Sequence, residues 1–379
     1  MADHDSNKDV IILGGGPAGL AAAIALRQRG MNCLVIEARP PVIDKGCGEG
    51  LMPDALASLR ELGIEITGSD GHLFHGIRFV NSAHQVDARF PNGIGIGVRR
   101  TKLHQRIIER AQSLGVEVLW ETRVILPDRQ QRSNTIEVNG RKISFQWLIG
   151  ADGQASTLRK WASLDKASKA SLRFGFRRHY NVEPWSEYVE VHWGTPGQVY
   201  VTPVADDNVC VAFITREAEI VRKDFLEFFP ALARRLKGAP AMSLQRGAVS
   251  ATRRLRRVAE GRVALIGDAS GSADAITGEG LAVSFRQAIA LAEALQKKNL
   301  KHYAKRHKEI GRLPHAMGEL MLTMDRWPAM ERRAMAALSA RPQFFDELLA
   351  VHVGAESLSG FALRHGPRLG WQLLQTSSY

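Results

Sequence analysis

The chain has 379 residues, 45% of them hydrophobic and 24% charged, a balance ordinary for a globular enzyme and unlike that of a disordered or fibrous chain. Its formal net charge of +12 suits an anionic partner such as a nucleotide, an acidic carrier or a lipid surface, yet no nucleic-acid motif and no interleaving of aromatic with basic residues is present. Cys33, Cys47 and Cys210 are too few and too scattered for a disulfide framework or a zinc site. No run approaches the ~18 apolar residues of a membrane span, and the opening MADHDSNKD is polar, so a cytoplasmic protein without a metal is expected, with peripheral membrane contact left open.

In chain order, 10–13 is a β-branched apolar run, and Gly14, Gly16 and Gly19 follow at GxGxxG spacing. Residues 20–29 then have helical Ala/Leu texture. The first glycine permits a sharp turn, the second lets backbone amides approach a pyrophosphate, and the third lets helix pack on strand. The free amides and positive end of that helix would hold the phosphates. A second apolar run, 33–36, ends at Glu37, about the ~20 residues downstream at which an acid binds ribose hydroxyls. Residues 53–62 predict a helix that starts at Pro53 and stops at Gly63. Residues 100–114, opened by Arg100, predict another, and the strand 116–120 returns the chain to the nucleotide-binding sheet.

GADGQASTLRKW at 150–161 is a second strand, turn and helix, with Asp152 and Gly153 at the turn. Short β runs follow at 171–180, 188–193, 199–204 and 209–214, separated by Pro, Gly, Asp and Asn. In the first, Leu172, Phe174 and Phe176 alternate with Arg173, Arg177 and His179. Arg177, His179 and His192 are candidate acids, bases or anchors if their strands face a cavity. Arg253, Arg254, Arg256 and Arg257 form a basic cluster that is either a solvated approach to the sheet or a docking site for phosphates or an acidic carrier. GRVALIGDASGSADAITGEGLA at 261–282 is the third strand and glycine turn, with Gly267 and Asp268 at its corner. Helical patterning returns at 282–297 and runs to the end, where Trp327, Phe344, Phe345, Phe361 and Trp371 suggest a helical cap.

Together the three motifs resemble the FAD-dependent oxidoreductases built on the p-hydroxybenzoate hydroxylase plan, which include aromatic hydroxylases, flavin halogenases and geranylgeranyl reductases. The resemblance extends to about residue 290. It implies an α/β fold: a Rossmann-type FAD-binding domain, an inserted antiparallel β-sheet substrate domain and a C-terminal helical cap. The expected boundaries are 1–165 and 256–297 for the FAD-binding domain, 166–255 for the inserted sheet and 298–379 for the cap. Gly14, Gly16, Pro17, Ala18, Gly19, Glu37 and Ala38 would hold the ADP half of FAD, with Val124 at the same end. Asp152 and Gly153 would sit near the pyrophosphate, Gly267 and Asp268 at the pyrophosphate and ribityl chain, Gly278, Gly280 and Leu281 beside the flavin ring, and Arg100 toward the flavin.

FAD itself carries the redox step, leaving the protein to position substrate, exclude water and set polarity. The resemblance allows two principal reactions. Oxygen activation in a closed cavity hydroxylates an apolar or aromatic substrate, free or held on a carrier; hydride delivery saturates a carbon-carbon double bond. The segment 45–53, KGCGEGLMP, lies where both hydroxylases and reductases bring a loop across the flavin: its Cys47 resembles the reductases, while the flow into LMPDALASLRELGI reads equally well as the hydroxylase pattern. TGEG at 277–280 leans toward the reductases, and the resemblance makes Cys47 and Glu279 candidate catalytic residues. Cys47 can equally be a buried space-filler. Ser270, Gly271, Ala275 and Ala282 stand where many aromatic hydroxylases carry His, Pro and Asn. Against the reductase, 200–213 lacks an aromatic-rich signature, and no W-x-W-x-I segment supports a halogenase. Hydroxylase-type monooxygenation is the leading expectation, ahead of alkene reduction and of halogenase-like chemistry or a non-catalytic FAD module. No second dinucleotide fingerprint is present, so NAD(P)H would bind transiently, with the arginines favouring NADPH.

Overall fold

The computed structural model describes residues 8–128, 134–222 and 224–364; Trp371 lies outside them. The strand Lys8–Leu13 is buried along nearly its whole length, as a parallel strand covered on both faces must be. It pairs in parallel with Arg141–Gly150 on one side and Cys33–Ile36 on the other. The sheet extends through Glu117–Leu119 at one edge and Val263–Leu265 at the other.

The helix Pro17–Arg27 starts with proline in its first turn, where the missing N–H costs nothing. It ends where Gly30, at φ +73°, turns the chain back toward the second strand. Ala21, Ala22, Ala23 and Ala25 are fully buried, and their small side chains let this helix lie against the helix Gly280–Gln296. Leu20, Ile24 and Leu26 are likewise fully buried. Each contributes about 1.5–3 kcal/mol of apolar transfer energy.

A second sheet joins segments far apart in sequence, in the order 271–272, 246–255, 167–181, 208–215, 197–205, 188–194, 76–80 and 85–89. The four β runs anticipated at 171–214 are all present in it. It is not purely antiparallel, however: Tyr188–Gly194 pairs in parallel with Gly76–Val80. The meander leaves that strand with a free edge, and a hairpin from before the second motif fills it. One face carries Val199, Val201, Val211 and Phe213 under the segment around Phe225, Phe229 and Leu232.

On the other face, Val189 and Val191 meet a helical layer through Met321, Met324, Leu338, Phe344 and Phe345. That layer is formed by the helices Leu300–Arg326, Pro328–Ala340 and Pro342–His352. Phe344 and Phe345 are buried in it and Phe361, further along the chain, is buried too, whereas Trp327, at the corner between two helices, is 60% exposed. Among the described residues, no helix is long and apolar enough to cross a membrane.

Candidate active site

The three glycine turns meet at the carboxyl ends of the central strands, where open α/β sheets bind ligands. Gly14 has φ +113°, and a Cβ there would lie 2.3 Å from the carbonyl oxygen of Ala151, joining the first turn to the second. A Cβ on Gly267, at φ +57°, would lie 2.8 Å from that of Ala18, joining the third turn to the first. Arg159, only 1% exposed, joins the second to the third: its guanidinium donates to the carbonyls of Gln154 at 2.6 Å and Ala269 at 3.1 Å. Gly19 serves packing alone, since its Cβ would fall 1.9 Å from the Gly14 oxygen.

Gly16 is different. A Cβ there meets no atom within 4 Å, yet the residue borders a chamber of about 1400 Å³. A missing side chain that no protein atom requires is what a closely approaching ligand would require. The helix Pro17–Arg27 has no side-chain cap, so its first amides remain available. The helix Gly280–Gln296 likewise begins uncapped on the same chamber. Its Gly280 also has open space where a Cβ would be.

Around this floor, Glu37 accepts from the Gly15 amide at 2.8 Å and the Arg39 amide at 2.9 Å, with lone pairs left for hydroxyl groups. Ala38 and Val124 line the same end. Lys45 donates to Asp268 at 2.8 Å, which sets a cation beside the third turn. Arg100 is buried at the start of the helix Arg100–Ser113, and its Nε has no hydrogen-bond partner among the described residues. A cation at a helix N-terminus opposes the dipole, so a buried, half-paired arginine there marks a place for an anion or a carbonyl. Asp152 borders the chamber, but its carboxylate is occupied by the backbone amides of Thr157 at 2.8 Å and Leu158 at 3.2 Å. It holds the second turn in shape, and Gly153 beside it, at φ +80°, opens toward the chamber.

Several organising groups escaped the sequence reading. His104 takes the Ile43 amide on Nδ1 at 3.0 Å and donates Nε2–H to the Gly15 carbonyl at 2.8 Å. Burial holds its pKa down to about 4, so the neutral tautomer ties the glycine loop to the loop that crosses the chamber. Glu49 has φ +61° and a fully buried side chain that lies 2.6 Å from His179 Nε2 and 3.6 Å from Arg177 Nε. Arg177 also pairs with Asp44. The only signal for Glu49 was an acid set between two glycines.

Glu49, His179 and Cys210 bring ligand-type atoms within 4.8 Å of one another. Arg177 and Arg99 flank that carboxylate, and burial pushes the Cys210 thiol well up, so the group is a buried ion network. His192 pairs with Glu190 at 2.9 Å, away from the chamber. Three arginines of the basic cluster are ion-paired: Arg253 with Asp165, Arg254 with Glu319 and Arg257 with Glu260.

Cys47 lines the chamber half-buried, its sulfur 3.4 Å from the Glu49 amide. Glu279, expected beside it, does not reach the chamber wall; its side chain is 1% exposed and turned toward Arg286 and His352. Beyond Gly278 and Leu281 the chamber continues between the sheet face of Val189, Val191, Tyr200 and Thr202 and the helices carrying Met317, Met321, Leu338 and Phe345. Its half-exposed rim includes Leu320 and Val249. Single-ligand sites occupy about 300–1000 Å³, so a chamber of about 1400 Å³ has room for a dinucleotide and a second small molecule. The residues present fit FAD.

Residues 7–306 match the family described as FAD binding domain. Menaquinone reductase of Mycobacterium tuberculosis is 26% identical over 326 residues, 78% of each chain. 3-Hydroxybenzoate 6-hydroxylase of Polaromonas naphthalenivorans is 25% identical, over 86% of this chain and 93% of the relative. Among solved structures, a flavin-dependent brominase superposes with a TM-score of 0.77 at 18% identity, over 96% of this chain and all of its own.

Proposed function

This chain belongs to the FAD binding domain family, and from that premise we propose that it is an NAD(P)H-dependent flavin monooxygenase that hydroxylates an apolar or aromatic small molecule. The observation that carries this reading is the continuity of one chamber from the glycine floor to a wall of methionine, leucine and phenylalanine side chains. A hydroxylase needs an apolar space shielded from water in front of its flavin, and the apolar wall offers one.

FAD supplies the redox chemistry when bound. The chain's own groups do the rest. The uncapped helix ends at Pro17 and Gly280 would receive the phosphates and the ring edge, and Glu37, which lines the chamber, would bind the ribose hydroxyls. Arg100, whose Nε has no hydrogen-bond partner among the described residues, borders the chamber and would offer its cation to the cofactor. Tyr200 donates to the Ile276 carbonyl at 2.7 Å and so holds the ring-side loop against the sheet. The helical layer walls one side of the chamber with apolar side chains, and no donor domain of its own is needed if NAD(P)H visits transiently.

A second reading rests on Cys47, which lines the chamber, and on the similarity to a menaquinone reductase: hydride delivery to a polarised double bond. The test is product analysis with isotopically heavy dioxygen. Monooxygenation puts one heavy oxygen atom in the product and consumes NAD(P)H in step. Reduction of substrate under strict anaerobiosis, with no oxygen incorporated in air, establishes the second reading instead.

A further inference from the structure

Glu279 immediately precedes the helix Gly280–Gln296 and gives it no side-chain cap. Its Oε2 has no hydrogen-bond partner among the described residues. Oε1 lies 3.9 Å from Arg286 Nη2, and Oε2 lies 3.7 Å from His352 Nδ1. Arg286 is closer to a second carboxyl, Asp54 Oδ2, at 3.5 Å. His352 donates Nε2–H to the Thr277 carbonyl at 3.0 Å, which leaves its Nδ1 a bare acceptor turned toward Glu279. Asp54 from the helix Pro53–Glu61, Arg286 from the helix that Glu279 precedes, and His352 from the helix Pro342–His352 are thus the charged and titratable groups that face Glu279.

Two carboxyls share one guanidinium and one imidazole. Burial penalises net charge, so the low-energy arrangement is one anion, one cation and two neutral groups. Burial raises Asp54 as well, but Arg286 opposes that rise, and the shorter ion pair puts the anion on Asp54. Burial, reinforced by repulsion from Asp54 and only partly offset by Arg286, pushes Glu279 up to about 8. Burial also holds His352 below its usual value. Glu279 is therefore a neutral acid at physiological pH, beneath the chamber segment formed by Gly278, Gly280 and Leu281.

Resting on the FAD reading above, we propose that Glu279 is a positioning residue whose retained proton keeps the start of the helix Gly280–Gln296 electropositive toward the electron-accepting ring, so that losing this proton lowers the ring's affinity for electrons. An uncapped helix end carries roughly half a positive charge, and a carboxylate directly beneath it would cancel that charge. Reduction adds negative charge to the ring, so the neutral acid favours the reduced state. Glu279 touches neither substrate nor ring; it acts through the helix end.

The experiment is a pH titration, from about pH 6 to about pH 9.5, of the reduction potential of the FAD-loaded full chain, beside the thermal stability of the FAD-free protein over the same range. Glu279→Gln keeps the shape and the neutral state. The wild type should show an extra downward break in potential near pH 8 that is lost in Glu279→Gln, with the two proteins coinciding below it. The stability sign follows from the raised value: the folded state keeps a proton that the unfolded chain releases in the ordinary carboxylate range. Wild-type stability should therefore decline up to about pH 8, and Glu279→Gln should remove that decline. Arg286→Met removes the counter-charge and should move the break to higher pH.

A break in potential that persists in Glu279→Gln, or no break in the wild type, overturns the proposal while leaving FAD binding intact. If the protein holds no FAD, the cofactor reading fails. The stability profile of the FAD-free protein then decides separately whether Glu279 keeps its proton, and a flat wild-type profile overturns that too.

Discussion

Gly16 and Gly19 lie three residues apart, yet their missing side chains serve different partners. At Gly19 a Cβ would strike the Gly14 carbonyl at 1.9 Å, whereas at Gly16 it would enter open chamber. Gly16→Val should therefore fold, because its backbone at φ −71° and ψ 177° suits valine. A surface-type change of this kind costs stability within about 0.5 kcal/mol, while the purified protein should lose its flavin absorbance; retained flavin would show that the pyrophosphate lies elsewhere. His104 makes an opposite kind of prediction. Its pKa is about 4 in the fold, against ~6.5 when unfolded. The stability it supports as a neutral ring is fully present above the unfolded value and drains away as pH falls from ~6.5 to about 4, by roughly 3 kcal/mol at the limit. Stability measured between those limits should fall less steeply in His104→Gln, and identical slopes would mean that the ring does not titrate as described. The glycine spacing and Glu37 were legible because they are local pattern. Glu49, His104 and Asp44 were not, since each acts on partners far from it in sequence.

At the scale of elements, a buried ion cluster fastens the chamber's layers together. Arg173, on the strand Ala167–Asn181, donates to Asp274 at 3.0 Å and to Gln198 at 2.6 Å, and lies 3.4 Å from Asp325 of the helix Leu300–Arg326. Thr252 also donates to Asp274 at 3.2 Å, and Arg216 pairs with Asp325 at 2.9 Å. Sheet, ring-side loop and helical layer are thereby held by one set of charges. Removing one partner leaves the others buried and uncompensated, which costs about 3–5 kcal/mol. Asp274→Ala should lower stability by about that much, and a denaturant midpoint close to the wild type would show that the cluster contributes little. The parity of residues 171–180 in the sequence correctly set Arg173, Arg177 and His179 on one face. It did not reveal that this face is buried, because the covering groups come from three separate segments: the loop of Asp44 and Glu49, the turn of Asp274 and the helix of Asp325. The hairpin of Gly76–Val80 and Gln85–Arg89 was missed for a related reason: its strands are short, and the strand it pairs with, Tyr188–Gly194, lies more than a hundred residues further along the chain.

For the molecule as a whole, the decisive arrangement is the meeting of turns at Gly14, Asp152 and Gly267 on one floor, roofed by a sheet and a helical layer. Periodicity foretold each turn singly, and the order of the motifs foretold their convergence through a family resemblance. The way the roof is assembled from segments on both sides of the second motif had no sequence signal of its own. Because the floor is built from turns that contact one another, a ligand spanning them should stiffen the whole chain. At a hundredfold excess over its dissociation constant, such a ligand adds about 2.7 kcal/mol. Thermal unfolding of flavin-stripped protein should therefore move upward on adding FAD and stay unmoved on adding riboflavin, which lacks the phosphates that the helix ends receive. The most direct measurement is the amount and identity of the flavin released when freshly purified protein is denatured. About one FAD per chain is the outcome that follows from a single dinucleotide across three turns. Colourless protein whose unfolding temperature does not respond to FAD would contradict it.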